Sequence, residues 1–435
     1  MSKETKVAII GSGISSLVSA YFLNQKYDIK LYEKNDYLGG HSNTIDIDYN
    51  GKKIPVDIGF IVFNHQTYPN LKAFFEMLNV STEKSQMSFA VKILSQNLEY
   101  AGTNLNSVFA QRKNLFKPAF LKMLRDILHF NKSASNLLNQ EVNLDYNMTK
   151  FLQDLRLGEY FSQYYLLPMA SAIWSTPLEK IGDYPAQSFV RFFKNHGLLT
   201  VSEQPQWYTV SGGSKQYVKK ICDNFFEKIS LNDEVKSIEI LPSENSKKIK
   251  IISAKGEDFF DKVIIGAHSD QALKMLANPS NLHQEILGNI KYQRNLVVLH
   301  KDAKIMPENK RAWASWVYTK YGDKTNSTDI FQDSPSSLAV SYWMNNLQNI
   351  DANYPIFVSL NPKQEIAKDN IFHQKIFEHP IFDASAVKAQ ARMHEIQGLS
   401  EIYFCGAYQS YGFHEDGINS ALRVLNQLNI KAPWQ

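Results

Sequence analysis

The sequence predicts an α/β protein in which a discontinuous domain built on a buried parallel sheet is interleaved with a mixed α+β domain. Three observations in the first forty-four residues carry this. Val7-Ala-Ile-Ile10 is a short apolar run ending at Gly11, which reads as a buried parallel strand. Leu17, Ala20, Tyr21 and Leu23 then follow at helical spacing, so Gly11-Ser12-Gly13 occupies a strand-to-helix turn. A second strand, Ile29 to Glu33, ends in a carboxylate twenty residues beyond Gly13. Backbone without side chains approaches a pyrophosphate at such a turn, the helix N-terminus offers N–H groups to it, and the carboxylate accepts from ribose hydroxyls. The expected unit is therefore a Rossmann-like dinucleotide-binding domain. Ser16 stands where the third glycine of the pattern packs helix on strand, and serine is small enough for that task.

The chain of 435 residues is long enough for two domains. An apolar content of 44% with 12% aromatics indicates a large core. A formal charge of +4, spread along the chain, argues against nucleic acid as a partner. Only Cys222 and Cys405 are present, which fits a reducing compartment and excludes a thiolate metal site. The eleven histidines show no paired metal-ligand spacing, so no metal is expected. Residues 1–6 lead straight into the first strand and are read as leaving no room for a signal peptide. The apolar stretch Tyr164 to Trp174 is too short to span a bilayer. A soluble, cytoplasmic protein is expected.

Along the chain, Thr44 to Val56 reads as a hairpin turning at Asn50-Gly51. From Tyr68 to about Thr200 the pattern is mostly helical, with a short strand pair near 88–91 and 98–100. Ser211-Gly212-Gly213-Ser214 opens a helix, followed by strands over 234–241, 249–253 and 263–267. Residues 296–300, 312–318, 338–344 and 356–360 form a second family of aromatic strands. Ile402 to Gly406 is again a buried strand ending in glycine, and a helix from about Gly417 closes the chain. The nucleotide-binding domain thus collects residues 1–75, 205–275 and 396–435, and residues 76–204 and 276–395 build the substrate domain.

Gly39-Gly40 after Glu33 points to a flavin rather than a nicotinamide, because backbone must approach the cofactor a second time. The runs Val7 to Leu17 and Leu31 to His41 resemble the flavin-containing amine oxidase superfamily, which also holds phytoene desaturases and protoporphyrinogen oxidases. Phe404 to Gly417, with Trp207 to Ser214, Ala267 to Gln271 and Ala312 to Trp316, resembles a bacterial branch of predicted FAD-binding oxidoreductases. That branch is similar to a flavoprotein module fused to some plant cyclopropane fatty acid synthases. The resemblance covers nearly the whole chain. His41 stands where amine oxidases commonly have arginine, and Ala407-Tyr408 replace an acidic residue, which weakens the analogy to amine oxidation.

The resemblance implies non-covalently bound FAD. It implies that Gly11, Gly13, Ile14, Ser15 and Ser16 face the pyrophosphate, with Glu33 and its neighbour Lys34 at the adenosine ribose. Gly39, Gly40 and His41 are expected beside the ribityl chain, Val235 at the adenine, and Gly59, in Asp57-Ile-Gly-Phe60, in a wall near the isoalloxazine. Gly406 and a helix opened by Asp416-Gly417 are expected from the other side. Tyr411, His414 and Glu415 are candidate catalytic groups, with His414 exchanging a proton near neutral pH; the alternative is that all three fix the loop over the cofactor. His268 and His300 read as structural, with Ser269 or Asp270 capping a helix, and Cys405 as a small buried hydrophobe.

On a helix over 111–132, Phe116, Phe120, Met123, Leu124, Ile127 and Leu128 share one face opposite Lys122, Arg125 and Asp126. Two readings stay open: a helix packed on the core, or a basic amphipathic helix touching a membrane surface. For Trp313, Trp316, Tyr342 and Trp343 two readings also stay open: the lining of an apolar substrate tunnel, or aromatics buried by strand alternation simply to build a core. The expected function is FAD-dependent dehydrogenation or isomerisation of a lipid or fatty acyl substrate. The alternatives are a flavin amine oxidase acting on a small amine, or a flavin-binding partner of a fatty acid-modifying methyltransferase.

Overall fold

A computed structural model describes residues 5–141, 143–174, 181–195, 198–199, 204–241, 249–321 and 338–435; the expected helical boundary at Thr200 lies outside them. Five parallel strands form the first sheet in the order β10 (Ile229–Ser230), β2 (Asp28–Tyr32), β1 (Lys6–Ile10), β14 (Lys262–Ile265) and β20 (Ile402–Phe404). β1 is central because its apolar residues are needed on both faces. Val7 and Ile9 join the core beneath helix α1 (Ile14–Leu23), while Ala8 and Ile10 join the core on the other side. Its neighbours β2 and β14 lie on opposite sides, so the turn at Gly11 sits where the strand order reverses, the usual binding crevice of such sheets.

The hairpin of β3 (Thr44–Tyr49) and β4 (Lys52–Asp57) forms as expected, with Asn50 and Gly51 at φ 55° and 84°. β5 (Val62–Asn64), β9 (Trp207–Val210) and β6 (Thr82–Ser85) make a small sheet, and β11 (Val235–Ile240), β12 (Ile249–Ser253) and β13 (Gly256–Phe260) a meander.

The second large sheet has seven strands, ordered β19 (Ile371–Ile381), β15 (Lys291–His300), β18 (Phe357–Leu360), β17 (Leu338–Trp343), β16 (Trp316–Lys320), β7 (Phe89–Ile93) and β8 (Leu98–Ala101). β19 was not expected. It is an edge strand carrying His373, Lys375, Glu378 and His379 with Pro380 near its end, so it lacks the apolar signature of an interior strand. The aromatic strands also need correcting. Trp316 and Tyr342 pack edge to face at 4.9 Å in the large core, whereas Trp313 and Trp343 pair on a separate cluster with Ala90, Val317 and Phe357. All four therefore do not line one tunnel.

The glycine at the end of β14 sets how closely α1 approaches the sheet. Gly266 lies in register beside Gly11, and a Cβ there would collide with Ser16 Oγ and lie 3.3 Å from Cys405 Sγ. Ser16 thus performs the packing role, and the side chain it adds is accommodated by one missing from the neighbouring strand. Gly266→Ala is expected to destabilise the chain by about 1–3 kcal/mol through overpacking. In Ser16→Gly most of that loss disappears, a coupling that chemical denaturation of both single variants and the double variant measures; simple additivity contradicts the packing.

Candidate functional site

Gly13 is the N-cap residue of α1 and offers no side-chain cap. A Cβ on Gly13 would meet nothing within 4 Å, so open space lies in front of the helix N-terminus. The glycine doublet passes directly over it, with the position of a Gly40 Cβ 3.2 Å from Gly13 Cα. Gly39 N–H donates to Ser12 O at 3.1 Å. Ser12 Oγ in turn donates to Glu33 Oε2 at 2.6 Å, and Asn35 donates twice to Glu33 Oε1, at 2.9 Å from N and 2.6 Å from Nδ2. The buried Glu33 carboxylate is thereby held at the rim of the turn, while Lys34 points to solvent. Asp233 N–H donates to Glu33 O at 2.9 Å, which brings the start of β11 at Val235 beside the same acid.

The chain's C-terminal helix, His414–Gln427, closes the other side. It opens at His414, two residues before the expected Asp416, which instead accepts from Phe413 N–H at 2.9 Å and so caps the first turn. A Cβ on Gly417 would stand 2.9 Å from both Ile14 Cγ2 and Ser15 Oγ. The N-termini of α1 and this helix consequently meet. Gly406 N–H donates to Ser420 Oγ at 2.8 Å, which donates to Gly417 O at 2.6 Å, tying the end of β20 to the same junction. Two convergent helix N-termini beside open space turn a positive field toward it.

Next to the junction, the chain gathers four imidazoles. His41 stacks on Phe377 at 4.7 Å and has His379 at 5.2 Å and His268 at 6.1 Å; His268 stacks on Tyr292 at 4.4 Å. His414 stacks on Phe60 at 3.7 Å, with Nε2 2.9 Å from Ser42 Oγ and 3.1 Å from Tyr217 Oη. Gly59 has no room for a side chain, because the His41 carbonyl occupies that space. Burial pushes the imidazole of His41 down to about 4 and those of His268, His379 and His414 to about 3, with neighbouring His41 adding to the last three. Although enclosed, all four keep some accessible surface, so they border an internal gap. His41 Nε2 is buried there with no hydrogen-bond partner.

The three candidate catalytic residues separate. His414 reaches the gap but is neutral far below neutral pH, so the proton exchange expected of it near pH 7 does not fit its surroundings. Glu415 points away. Its carboxylate accepts from Asn70 N and Nδ2 at 3.0 and 2.9 Å and from Leu71 N at 2.9 Å, capping helix α2 (Pro69–Met77). Tyr411 packs 5.7 Å from Phe192, and burial raises its pKa, so it keeps its proton. Asp57 likewise caps a helix, accepting from Ser214 N at 2.9 Å and Ser214 Oγ at 2.7 Å ahead of Lys215–Cys222.

His268 is the residue most misjudged from sequence. It is itself the N-cap of Ser269–Met275, whose Ser269 N–H donates to Tyr292 Oη at 2.9 Å, and its ring belongs to the imidazole cluster. His379, Tyr292 and Gly266 were also missed. The signal for Gly266 was present: Val263-Ile-Ile-Gly266 repeats Ala8-Ile-Ile-Gly11. His300 is structural, fully buried with Nε2 2.8 Å from Ser359 Oγ. Burial pushes the Cys405 thiol up to about 12, which leaves it an inert core group. Among the described residues no group of three or more His, Cys, Asp or Glu is placed to hold a metal ion, and no helix is long and apolar enough to cross a membrane.

The buried imidazoles fix the sign of the acid response. A histidine with a lowered folded pKa binds fewer protons than in the unfolded chain, so its contribution is present above about 6.5 and is lost as pH falls toward 4. Asp57 and Asp416, raised to about 6, act oppositely: their contribution is present below about 4 and lost as pH rises through 6. Four imidazoles outweigh two carboxylates, and His300, held at about 4, adds to them. The melting temperature of the cofactor-free chain is expected to fall from pH 7 to pH 5. A flat or rising profile in calorimetry contradicts this balance.

Residues 9–78 match the sequence model of the NAD(P)-binding Rossmann-like domain. No curated protein matches the sequence. Among solved structures, a CLA-producing fatty acid isomerase from P. acnes aligns with a TM-score of 0.67 at 12% identity, over 98% of this chain and 99% of that one. Cyclohexylamine oxidase from Brevibacterium oxydans IH-35A aligns at 0.66 and 12%, over 98% and 99%. A putrescine oxidase bound to putrescine gives the same values of 0.66, 12%, 98% and 99%. A Rossmann-like unit with its glycine turn at the switch point, within a whole chain folded like these solved structures, is thus the fold of this chain.

Proposed function

We propose that the chain is an FAD-dependent oxidoreductase that dehydrogenates or isomerises a fatty acyl substrate. The observation that carries the cofactor is the open space in front of Gly13 where two helix N-termini meet, with Glu33 held at its rim. The donor set fits FAD. First-turn N–H groups of Ile14, Ser15 and Ser16 face a pyrophosphate, Glu33 accepts from a ribose hydroxyl, and the backbone at Val235 meets the adenine. Gly39, Gly40 and the uncommitted Nε2 of His41 flank the ribityl chain, with Gly406 and Gly417 opposite. Bound FAD supplies two-electron oxidation of the substrate. His414, a poor base at a pKa near 3, orients the hydroxyls of Ser42 and Tyr217.

The same fold serves amine oxidases and a fatty acid isomerase, so the choice rests on side chains. A buried ammonium substrate is best matched by an uncommitted carboxylate. Here Asp57, Glu415 and Asp416 are each already bonded to backbone N–H groups. Phe60, Phe192 and Phe413 make the neighbourhood of His414 and Tyr411 apolar, with Phe192 and Phe413 stacked at 5.0 Å. This supports an acyl chain.

The test is the absorption spectrum of the FAD-loaded protein, followed anaerobically as fatty acids, phospholipids or small amines are added. Bleaching by an acyl lipid and by no amine is expected. Bleaching by an amine alone, with aldehyde release, overturns the acyl reading, and reduction by neither class, with no shifted double bond in the recovered lipid, favours a structural flavin serving a methyltransferase partner. Gly13→Ser tests the cradle separately. Serine is a favourable N-cap, so stability should hold or rise, while FAD affinity falls at least tenfold as the hydroxyl enters the open space. Unchanged affinity contradicts the placement of the pyrophosphate.

A further inference from the structure

We propose that helix α4 (Pro118–Leu137), together with helix α3 (Leu105–Val108) and the turn Arg112–Phe116, forms a surface that docks on an anionic lipid bilayer. The face expected from sequence turns inward, with Leu124 and Ile127 packed on the core beside Phe120 and Met123, while Phe116 and Leu128 depart from it and are exposed. Phe120, Met123, Phe130 and Ala134 point inward, and so does Asp126, whereas Leu121, Arg125, Leu128 and Lys132 form an outward line at spacings of four, three and four. Apolar and basic groups thus alternate along one exposed helical stripe.

The same region concentrates unprotected apolar surface. Of eleven large hydrophobic side chains exposed among the described residues, five fall between positions 105 and 128: Leu105, Leu115, Phe116, Leu121 and Leu128. Phe116 is 85% exposed and Leu105 77%. Arg112 Nη1 donates to Phe109 O at 2.8 Å, which fastens the turn Arg112–Phe116 to the chain just after α3. Large exposed apolar groups gathered in one place mark an interaction site more often than a folding requirement.

Charge selects the partner. Between positions 105 and 132 the chain carries Arg112, Lys113, Lys117, Lys122, Arg125 and Lys132 against a single acid, Asp126. That acid is buried, bonded to Lys122 Nζ at 2.9 Å and accepting from Gly158 N at 3.0 Å, so this segment itself offers no carboxylate outward, although the exposed Glu159 lies on the turn packed beside it. A second copy of the chain would set cations against cations. An anionic bilayer supplies what the surface lacks: a hydrocarbon region for Phe116, Leu121 and Leu128, and headgroup charge for Arg125 and Lys132, whose long stems reach back to the interface. The inference is independent of the substrate, because it concerns a face remote in role from the glycine junction.

Flotation of the FAD-loaded protein with phosphatidylcholine vesicles, with and without phosphatidylglycerol, tests it. Capture is expected to be at least tenfold greater on the anionic vesicles and to fall in high salt. Phe116→Ser with Leu128→Ser, and Arg125→Glu with Lys132→Glu, are each expected to reduce capture at least tenfold. All four positions are exposed, so melting temperature and bound flavin should not change. Equal capture of the wild type and both variants overturns the proposal, as does failure of the wild type to bind anionic vesicles. A concentration-dependent dimer that the serine variant abolishes, with vesicle capture unaltered, overturns it in favour of self-association.

Discussion

Close approach of backbone to backbone at one edge of the parallel sheet is the constraint on which the rest of the site depends. α1 must pass β14 within a distance that a side chain on Gly266 would forbid, and must meet the C-terminal helix where a side chain on Gly417 would strike Ile14 and Ser15. These two absences bring two helix N-termini to one point and leave space in front of Gly13. The field of both helices then favours an anion at a position that no described side chain fills. Ser16 is tolerated for the same reason, since the volume it adds is taken from the facing strand.

The surroundings of this junction are costly unless something occupies the gap. His41 Nε2 is buried without a hydrogen-bond partner among the described residues, and four imidazoles are crowded into their neutral forms. Buried polar groups are ordinarily paired, so such departures cluster where a ligand completes the set. The carboxylates follow the opposite rule. Asp57 and Glu415 each cap a distant helix, which holds the walls of the site in place and removes them as partners for a cationic substrate.

Features set by local chain chemistry were legible. The strand-glycine-helix order at 7–23, Glu33 at the end of β2 and the Asn50-Gly51 turn depend on neighbours in sequence, and the structure has each of them. Features set by distant partners were not. Glu415 looks catalytic beside His414 until Asn70, 345 residues away, claims its carboxylate. β19 is polar because it is an edge, and its His379 joins His41 only through the sheet. Helical spacing placed Phe120, Met123, Leu124 and Ile127 of α4 on the core, but not Phe116, because the separate turn at Arg112–Phe116 and Pro118 restart the helical phase.

The central claim is that the Gly13 junction holds the pyrophosphate of a flavin dinucleotide. The most direct measurement is equilibrium binding of the cofactor-free chain to FAD, FMN, riboflavin and NAD under identical conditions. The account predicts that FAD binds at least a hundredfold more tightly than FMN or riboflavin, which lack the adenosine that Glu33 receives, and more tightly than NAD. Equal affinity for FAD and riboflavin, or preference for NAD, would contradict it.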